Sequence, residues 1–527
     1  MTDVVAGEHA ARRDADVAER AVPRTGVTSL AYLASVTIAI AAGVAIRVAM
    51  LGEKVLSFDE AYTLATAQRS FVGMLETFWF EANGTLYAVL LWPLLRIAES
   101  EETIRILALL AGLATIAAVY WTGRALVERR AAPVAAALVS LSPALIGWSV
   151  YGRAYAFAIL FAVVSFGCLA RALDDAGRSS RWRWLLVACL LAMAYSSVLA
   201  AITLLPIHAA AIALRGRETH SLRAWARPSL ALMGGLVPLG VLLVLESSVR
   251  DPLAWLWKPD TALVRRVAGE LAVGPTYFSG RGTGFAALTL AALASIVVTG
   301  LVLSWRRRGV PSWRTGLVLG WALWPPLLLF VASQVRPMFW ARYLGVVIPA
   351  VALLVAVLLV RMPRPLGAAY GLTLGTILVA AAVTTSPPFN DFQRKASWVE
   401  ARRGPGDPLV LYPIEQLPAL AYYASSLRVD GLLPVEEWDD TPLPDGLHGY
   451  RRSYDWGDSP VGPPRAEDLT RLAAGTGSVI VLTYPNLVDD VPVAWAAGRG
   501  CTTERVQFPG LTAVSFQGCG SDLREDG

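Results

Sequence analysis

The chain has 527 residues and is 55% hydrophobic but only 17% charged, with a mean hydropathy of +0.50. Soluble globular chains carry about 25% charged residues, and a bilayer crossing takes about 20 consecutive apolar residues. Several stretches here are that long, which excludes a soluble enzyme, a disordered regulator and a secreted disulfide scaffold. The net charge is +5, but no basic stripe with interleaved aromatics marks a nucleic-acid surface. Lys54, Lys258 and Lys395 are the only lysines. The arginine bias, with abundant Ala, Leu, Val and Gly, points to a high-GC bacterial genome.

Residues 1–27 are polar and carry Arg12, Arg13, Arg20 and Arg24; they read as a cytoplasmic tail. The apolar block at about 28–50 is too long for a signal-peptide core and has no small-residue cleavage pattern after it, so it reads as a retained first span. Further spans are expected near 104–126, 131–149, 154–173, 184–196, 198–214, 229–247, 284–304, 315–333, 342–360 and 366–385, eleven in all. An odd number places the C-terminus outside. The stretch 183–214 is long for one helix and short for two, and is divided at Tyr195-Ser196-Ser197. Lys and Arg accumulate in cytoplasmic loops. The pieces assigned to that side hold 21 basic residues in 74 positions, against 10 in 102 for the outer loops before the C-terminal region.

Residues 86–97 (LYAVLLWPLLRI) are apolar but few, interrupted by Pro93 and flanked by Glu81, Glu99, Glu101 and Glu102. They read as an interfacial or re-entrant helix. Counting them as a span would put Arg124, Arg129 and Arg130 outside and invert every later loop. The first outer loop, 51–103, is therefore long. After about 385 the chain turns rich in Pro, Gly, Asp and Arg. Short β-prone runs at 409–412, 478–483 and 511–516 alternate with helical stretches near 391–403, 414–425 and 466–474, which suggests a small α/β domain. The expected class is thus an α-helical polytopic membrane protein, with a transmembrane domain over 28–385 and an extracytoplasmic α/β domain over 386–527. Cys501 and Cys519 lie on the oxidising side, where either a disulfide or two unpaired thiols fits.

Ionisable residues left near the outer ends of spans are the candidates for chemistry. Ser57-Phe58-Asp59-Glu60-Ala61-Tyr62 follows the first span. A carboxylate at a membrane–water boundary can act as a general base, and burial would raise its pKa toward the working range. The same residues suit a helix start, with Ser57 or Asp59 capping a helix through 61–67. Arg153 and Arg342 sit where a guanidinium can hold a phosphate or snorkel to headgroups. Arg105 can equally pair with Glu101 or Glu102 on its own helix face. Trp255, Trp257, Tyr277 and Phe278 could stack on a sugar or belong to an interfacial aromatic belt. His208 and His220 have no ligand partners at helical spacing. The chain has no Walker loop, dinucleotide fingerprint or HExxH motif.

Asp59-Glu60 opening a helix in a long first outer loop resembles the membrane glycosyltransferases of the GT-C fold. The bacterial branch similar to dolichyl-phosphate-mannose–protein mannosyltransferases (glycosyltransferase family 39-like) matches best. Leu86-Tyr87 with Leu90, Leu91 and Trp92 resembles that family's Pro-Leu-Tyr segment, an amphipathic helix on the outer membrane face. Arg105, with Gly123-Arg124 later in the same span, resembles its second span. Ser142-Pro143, Trp148-Ser149 and Arg153-Ala154-Tyr155 resemble its second outer loop and Arg-x-Tyr motif. Pro337-Met338-Phe339 with Arg342-Tyr343 resembles a later entry to a span.

The resemblance implies a polyprenyl-phosphate-sugar donor and inverting transfer to an envelope glycan, lipoglycan or protein on the outer face of a bacterial plasma membrane. The sugar would be mannose-like or arabinose-like. Asp59 with Glu60 would supply the catalytic carboxylate. Arg105, Arg153, Tyr155, Arg342 and Tyr343 would hold the donor phosphate, and Asn83 and Tyr87 would line the acceptor loop. Where relatives often have His-Pro-Pro before Leu-Tyr, this chain has Asn83-Gly84-Thr85. Where they often have an acidic or amide residue before the Arg, it has Tyr151-Gly152. A two-carboxylate metal site is therefore not expected, and no cofactor is assigned. Two other readings stay open. One is a catalytically silent envelope scaffold or sensor. The other is a secondary transporter, disfavoured by the long first loop and the absence of an internal repeat.

Overall fold

The structure is a computed structural model that describes residues 26–52, 55–174, 180–218, 222–249, 251–253, 256–274, 281–305, 312–384, 391–412, 414–427, 445–450, 463–474, 476–483, 490–508 and 511–519. The tail arginines at 12, 13, 20 and 24, together with His220, Trp255, Tyr277 and Phe278, lie outside them.

Among the described residues, nine helices are long and apolar enough to cross a membrane, from Leu30–Ala49 to Arg364–Val383. A tenth crossing is counted if the pair Ala131–Leu141 and Pro143–Ser149, bent by 64°, acts as one. The expected count of eleven is reduced at 184–196. That helix, Arg181–Ser196, has 16 residues and spans about 24 Å at 1.5 Å per residue, short of an apolar core about 30 Å thick. The break after it falls at Ser197, where the next helix, Val198–Glu218, begins. Helix Thr85–Leu95 is short, contains Pro93 and does not span.

Burial sorts these helices. Tyr155–Asp174 is 78% buried, Ala341–Arg361 61% and Glu101–Leu126 56%, so these three form the centre of the bundle. Leu30–Ala49 and Leu222–Ser248 are each only 11% buried and present apolar side chains outward, as lipid-facing helices do. The kink at Ser142-Pro143 follows from proline's missing N–H, and the Ser142 hydroxyl caps the new turn by accepting from Leu145 N (3.4 Å). The fully buried Arg47 braces the kink, donating to the carbonyls of Gly43, Val139 and Ser140 and to Ser149 Oγ. Gly43 permits that approach, because a Cβ there would lie 2.2 Å from Ser140 O.

One end of the bundle gathers the loops richest in arginine. Arg314 pairs with Asp174, Arg361 with Glu128, and Tyr32 donates to Arg130 O. The opposite end carries the first long loop and the C-terminal domain. That domain is built on a five-stranded mixed sheet: β1 (Leu409–Leu411), β2 (Leu447–Gly449), β3 (Val479–Thr483), β4 (Thr502–Phe508) and β5 (Leu511–Gln517), in the order β2-β1-β3-β5-β4. β1 runs parallel to β2 and β3, and β5 pairs antiparallel with β3 and β4. Three of these strands match the expected runs, while β2, β4 and the helix Asp490–Gly498 add to them. Cys501 and Cys519 form a disulfide.

Candidate active site

Helix Phe58–Gln68 begins with a capping box, so Ser57 is the cap and Asp59 is not. Glu60 N donates to Ser57 Oγ (3.3 Å), and Ser57 N donates to Glu60 Oε2 (2.9 Å). Glu60 then turns into the protein. Its carboxylate accepts from Arg105 Nε (2.7 Å) and Nη2 (3.1 Å) and from Gly152 N (2.8 Å). Arg105 is fully buried and also bonds the carbonyls of Leu51 and Val55, each at 3.3 Å. Its partner is thus mainly Glu60; Glu101 lies farther, at 3.5 Å. Gly152 must be small here, because a Cβ would meet Ile104 Cγ2 at 2.4 Å and Glu60 Cγ at 3.3 Å.

Asp59, one residue earlier, points elsewhere. Its Oδ2 accepts from the Tyr151 hydroxyl (2.6 Å) and from Arg342 Nη1 (3.1 Å), and Arg342 Nη1 also reaches the Tyr155 hydroxyl (3.4 Å). The Asp59 side chain keeps 20% of its exposure and that of Arg342 keeps 27%, so a substrate can reach both. Burial pushes the Asp59 carboxyl up, but the charges of Arg342 and Arg153 and the Tyr151 hydrogen bond outweigh it and hold the group below its usual value. The expected upward shift is therefore corrected: Asp59 is an ionised carboxylate clamped by cations. The Tyr151 phenol is raised by burial and by Asp59, so it stays protonated and donates.

Arg153 donates to Thr63 Oγ1 (3.0 Å) and pairs with Glu81 (2.9 Å). These groups line an open cleft with Tyr62, Asn83, Thr85, Tyr87 and Tyr155. Gly84, at φ 84°, occupies the left-handed region and turns the chain into helix Thr85–Leu95. Two expected loop residues have structural bonds as well. Asn83 Oδ1 accepts from Val198 N (3.2 Å), and the buried Tyr87 hydroxyl donates to Ile104 O (2.5 Å). Tyr343 is half-buried and within electrostatic reach of Arg342, Tyr155 and Asp59. Trp257 stacks edge-on against Trp340, and His208 is buried between Ser165 Oγ and Leu204 O. No group of three His, Cys, Asp or Glu able to hold a metal occurs among the described residues.

Sequence reasoning missed four members. Tyr151 had appeared only as a departure from the pattern that the resemblance implies, and that departure was the available signal. Glu81 figured only as a flanking charge. Gly152 showed only as part of the same departure. Glu270 had no signal at all. It bonds Arg266 Nε (2.7 Å), and burial pushes its carboxyl up against the opposing charges of Arg266 and Arg342.

Residues 83–244 match the family described as dolichyl-phosphate-mannose-protein mannosyltransferase. The chain is similar in fold to ArnT from Cupriavidus metallidurans in the apo state, with TM-score 0.58 and 13% identity over 92% of this chain and 98% of that one. Against the same protein bound to undecaprenyl phosphate the TM-score is 0.57 at 13% identity, over 94% and 98% of the two chains. No curated protein matches the chain. Fold and matched region define the class, a membrane glycosyltransferase of GT-C type.

Proposed function

We propose that the chain transfers a mannose-like or arabinose-like sugar from a polyprenyl-phosphate donor to an envelope glycan, lipoglycan or protein. The site would face outward, with the arginine-rich end of the bundle in the cytoplasm of a bacterium. ArnT bound to undecaprenyl phosphate has the same fold, and that likeness supports a lipid-phosphate donor. The observation that carries the reading is Asp59, a partly exposed ionised carboxylate set between Arg342 and Tyr151 and in the field of Arg153.

Both of those contacts fall on Oδ2, which leaves Oδ1 to receive the acceptor hydroxyl. The acceptor oxygen then attacks the anomeric carbon from the face opposite the phosphate. The bond from carbon to phosphate oxygen breaks, the acceptor proton passes to Asp59, and the configuration inverts. Arg342 and Arg153 supply the positive charge that the departing phosphate needs, and Tyr155 and Tyr343 stand beside them. Glu60, Arg105 and Gly152 hold the helix and the 150–153 loop in register, so Glu60 acts by positioning.

Asp59→Ala and Asp59→Asn, assayed in proteoliposomes with a radiolabelled polyprenyl-phosphate sugar, should each lose on the order of 100-fold in transfer or more. Wild-type rates in both variants would remove Asp59 from the mechanism. Glycan and lipoglycan analysis of a deletion strain would identify sugar and acceptor.

A further inference from the structure

Among the described residues, the short helix Leu417–Tyr423 of the C-terminal domain packs against the segment that carries Asp59. Leu417, Ala419 and Leu420 share an apolar core with Leu56, Ala61 and Leu64, which belong to the segment that carries Asp59. At the end of that helix, the Tyr423 hydroxyl makes two bonds of opposite sense. It accepts from Leu56 N (2.6 Å) and donates to Glu101 Oε1 (2.6 Å). Leu56 is fully buried and immediately precedes the Ser57 cap. Glu101 is the second acid on Arg105, whose guanidinium holds Glu60.

One hydroxyl therefore joins both structures that aim Asp59: the backbone just before the helix, and the acid beside the Arg105–Glu60 pair. We infer that Tyr423 is a positioning residue through which the C-terminal domain fixes the start of helix Phe58–Gln68 and, with it, the Asp59 carboxylate. The link to catalysis rests on the role proposed for Asp59. A phenylalanine keeps the ring and its apolar contacts but can neither accept from Leu56 nor donate to Glu101. It would leave a buried N–H unpaired and let the carboxylate drift, and a reacting group displaced by about 1 Å can lose about 100-fold in rate.

The test uses the full chain in lipid, with Tyr423→Phe read by hydrogen exchange and by transfer kinetics. Exchange in peptides covering 55–60 should accelerate roughly tenfold, as expected for the loss of one buried hydrogen bond. Peptides from β3 and β5 should exchange as in the wild type. The kcat should fall roughly tenfold while the donor KM stays the same, because binding groups such as Arg153 are untouched. Arg402→Ala, which cuts a surface pair with Glu504 in the same domain, should change neither readout. Unchanged exchange at 55–60, or a raised KM with kcat intact, would overturn the proposal. The exchange measurement decides the latch by itself, so a wild-type chain that transfers no sugar would refute the transferase reading separately.

Discussion

Replacing Arg105 with Met isolates the pair that anchors the candidate site. The Arg105 side chain is 0% exposed and that of Glu60 is 3%, so neither charge can fall back on water. Removing one partner of a buried ion pair costs about 3–5 kcal/mol, because the other charge is left without its counterion. Glu60 would keep its bonds from Ser57 N and Gly152 N but lose two from the guanidinium, which places Arg105→Met at the full cost. Glu60→Gln should lose a similar amount, since the Arg105 guanidinium would lose the charge of its nearest carboxylate, with Glu101 farther away at 3.5 Å. The double variant Arg105→Met/Glu60→Gln removes both charges. It should be less destabilised than the sum of the singles by at least about 1 kcal/mol. Thermal unfolding of the purified protein in detergent measures all three, with Asp59→Asn as a contrast that should cost less, because the Asp59–Arg342 pair is partly exposed. Additive losses would refute the pairing argument. A stable Glu60→Gln that abolishes transfer would instead make Glu60 a reacting group.

The cations around Asp59 also set a pH dependence. Its carboxyl is held below the ordinary carboxylate value of about 3.9, so it remains ionised as pH falls toward that value. Its contribution to stability is present above the unfolded-state pKa and is lost only as pH falls through the lower folded one. The acid limb of a transfer–pH profile should accordingly lie below the ordinary carboxylate range, and Arg342→Gln should move it to higher pH by leaving burial less opposed. A limb that stays in place in Arg342→Gln would show that another group titrates. Arg47→Leu would strip the Ser142-Pro143 kink of a guanidinium bonded to three carbonyls and a hydroxyl. Unpaired buried groups cost about 1–3 kcal/mol each, so thermal stability should fall by at least about 2 kcal/mol, with partial recovery in Arg47→Lys. A Leu variant as stable as the wild type would mean that water or lipid satisfies those carbonyls.

The membrane helices were legible because a crossing demands a long apolar run, and the break at Ser196-Ser197 was anticipated, whereas the bend at Ser142-Pro143 falls inside the single span expected over 131–149. The C-terminal domain was only half legible. β1, β3 and β5 are apolar and buried, whereas β4 (TTERVQF) is an exposed strand of mostly polar residues and β2 is three residues long. Neither has a hydrophobic pattern to betray it. Arg47 went unremarked because it lies inside an apolar block, and only the kinked partner helix shows why the charge is tolerated there.

The candidate site shows the limit most clearly. Asp59 and Arg342 are 283 residues apart in sequence, lie on either side of the matched stretch 83–244, and meet at 3.1 Å. Residue type nominated both, but it could not say that they touch. Nor could it separate Asp59 from Glu60, two adjacent acids at the start of one helix. Neighbouring residues on a helix diverge by about 100°. Once Ser57 caps the first turn, that rotation sends Glu60 inward to Arg105 and Gly152 and leaves Asp59 at the open edge beside Arg342. The different surroundings of these two adjacent carboxylates are thus a consequence of where the helix begins. That start is fixed by Ser57 and braced by Tyr423, from a domain more than 350 residues away in sequence.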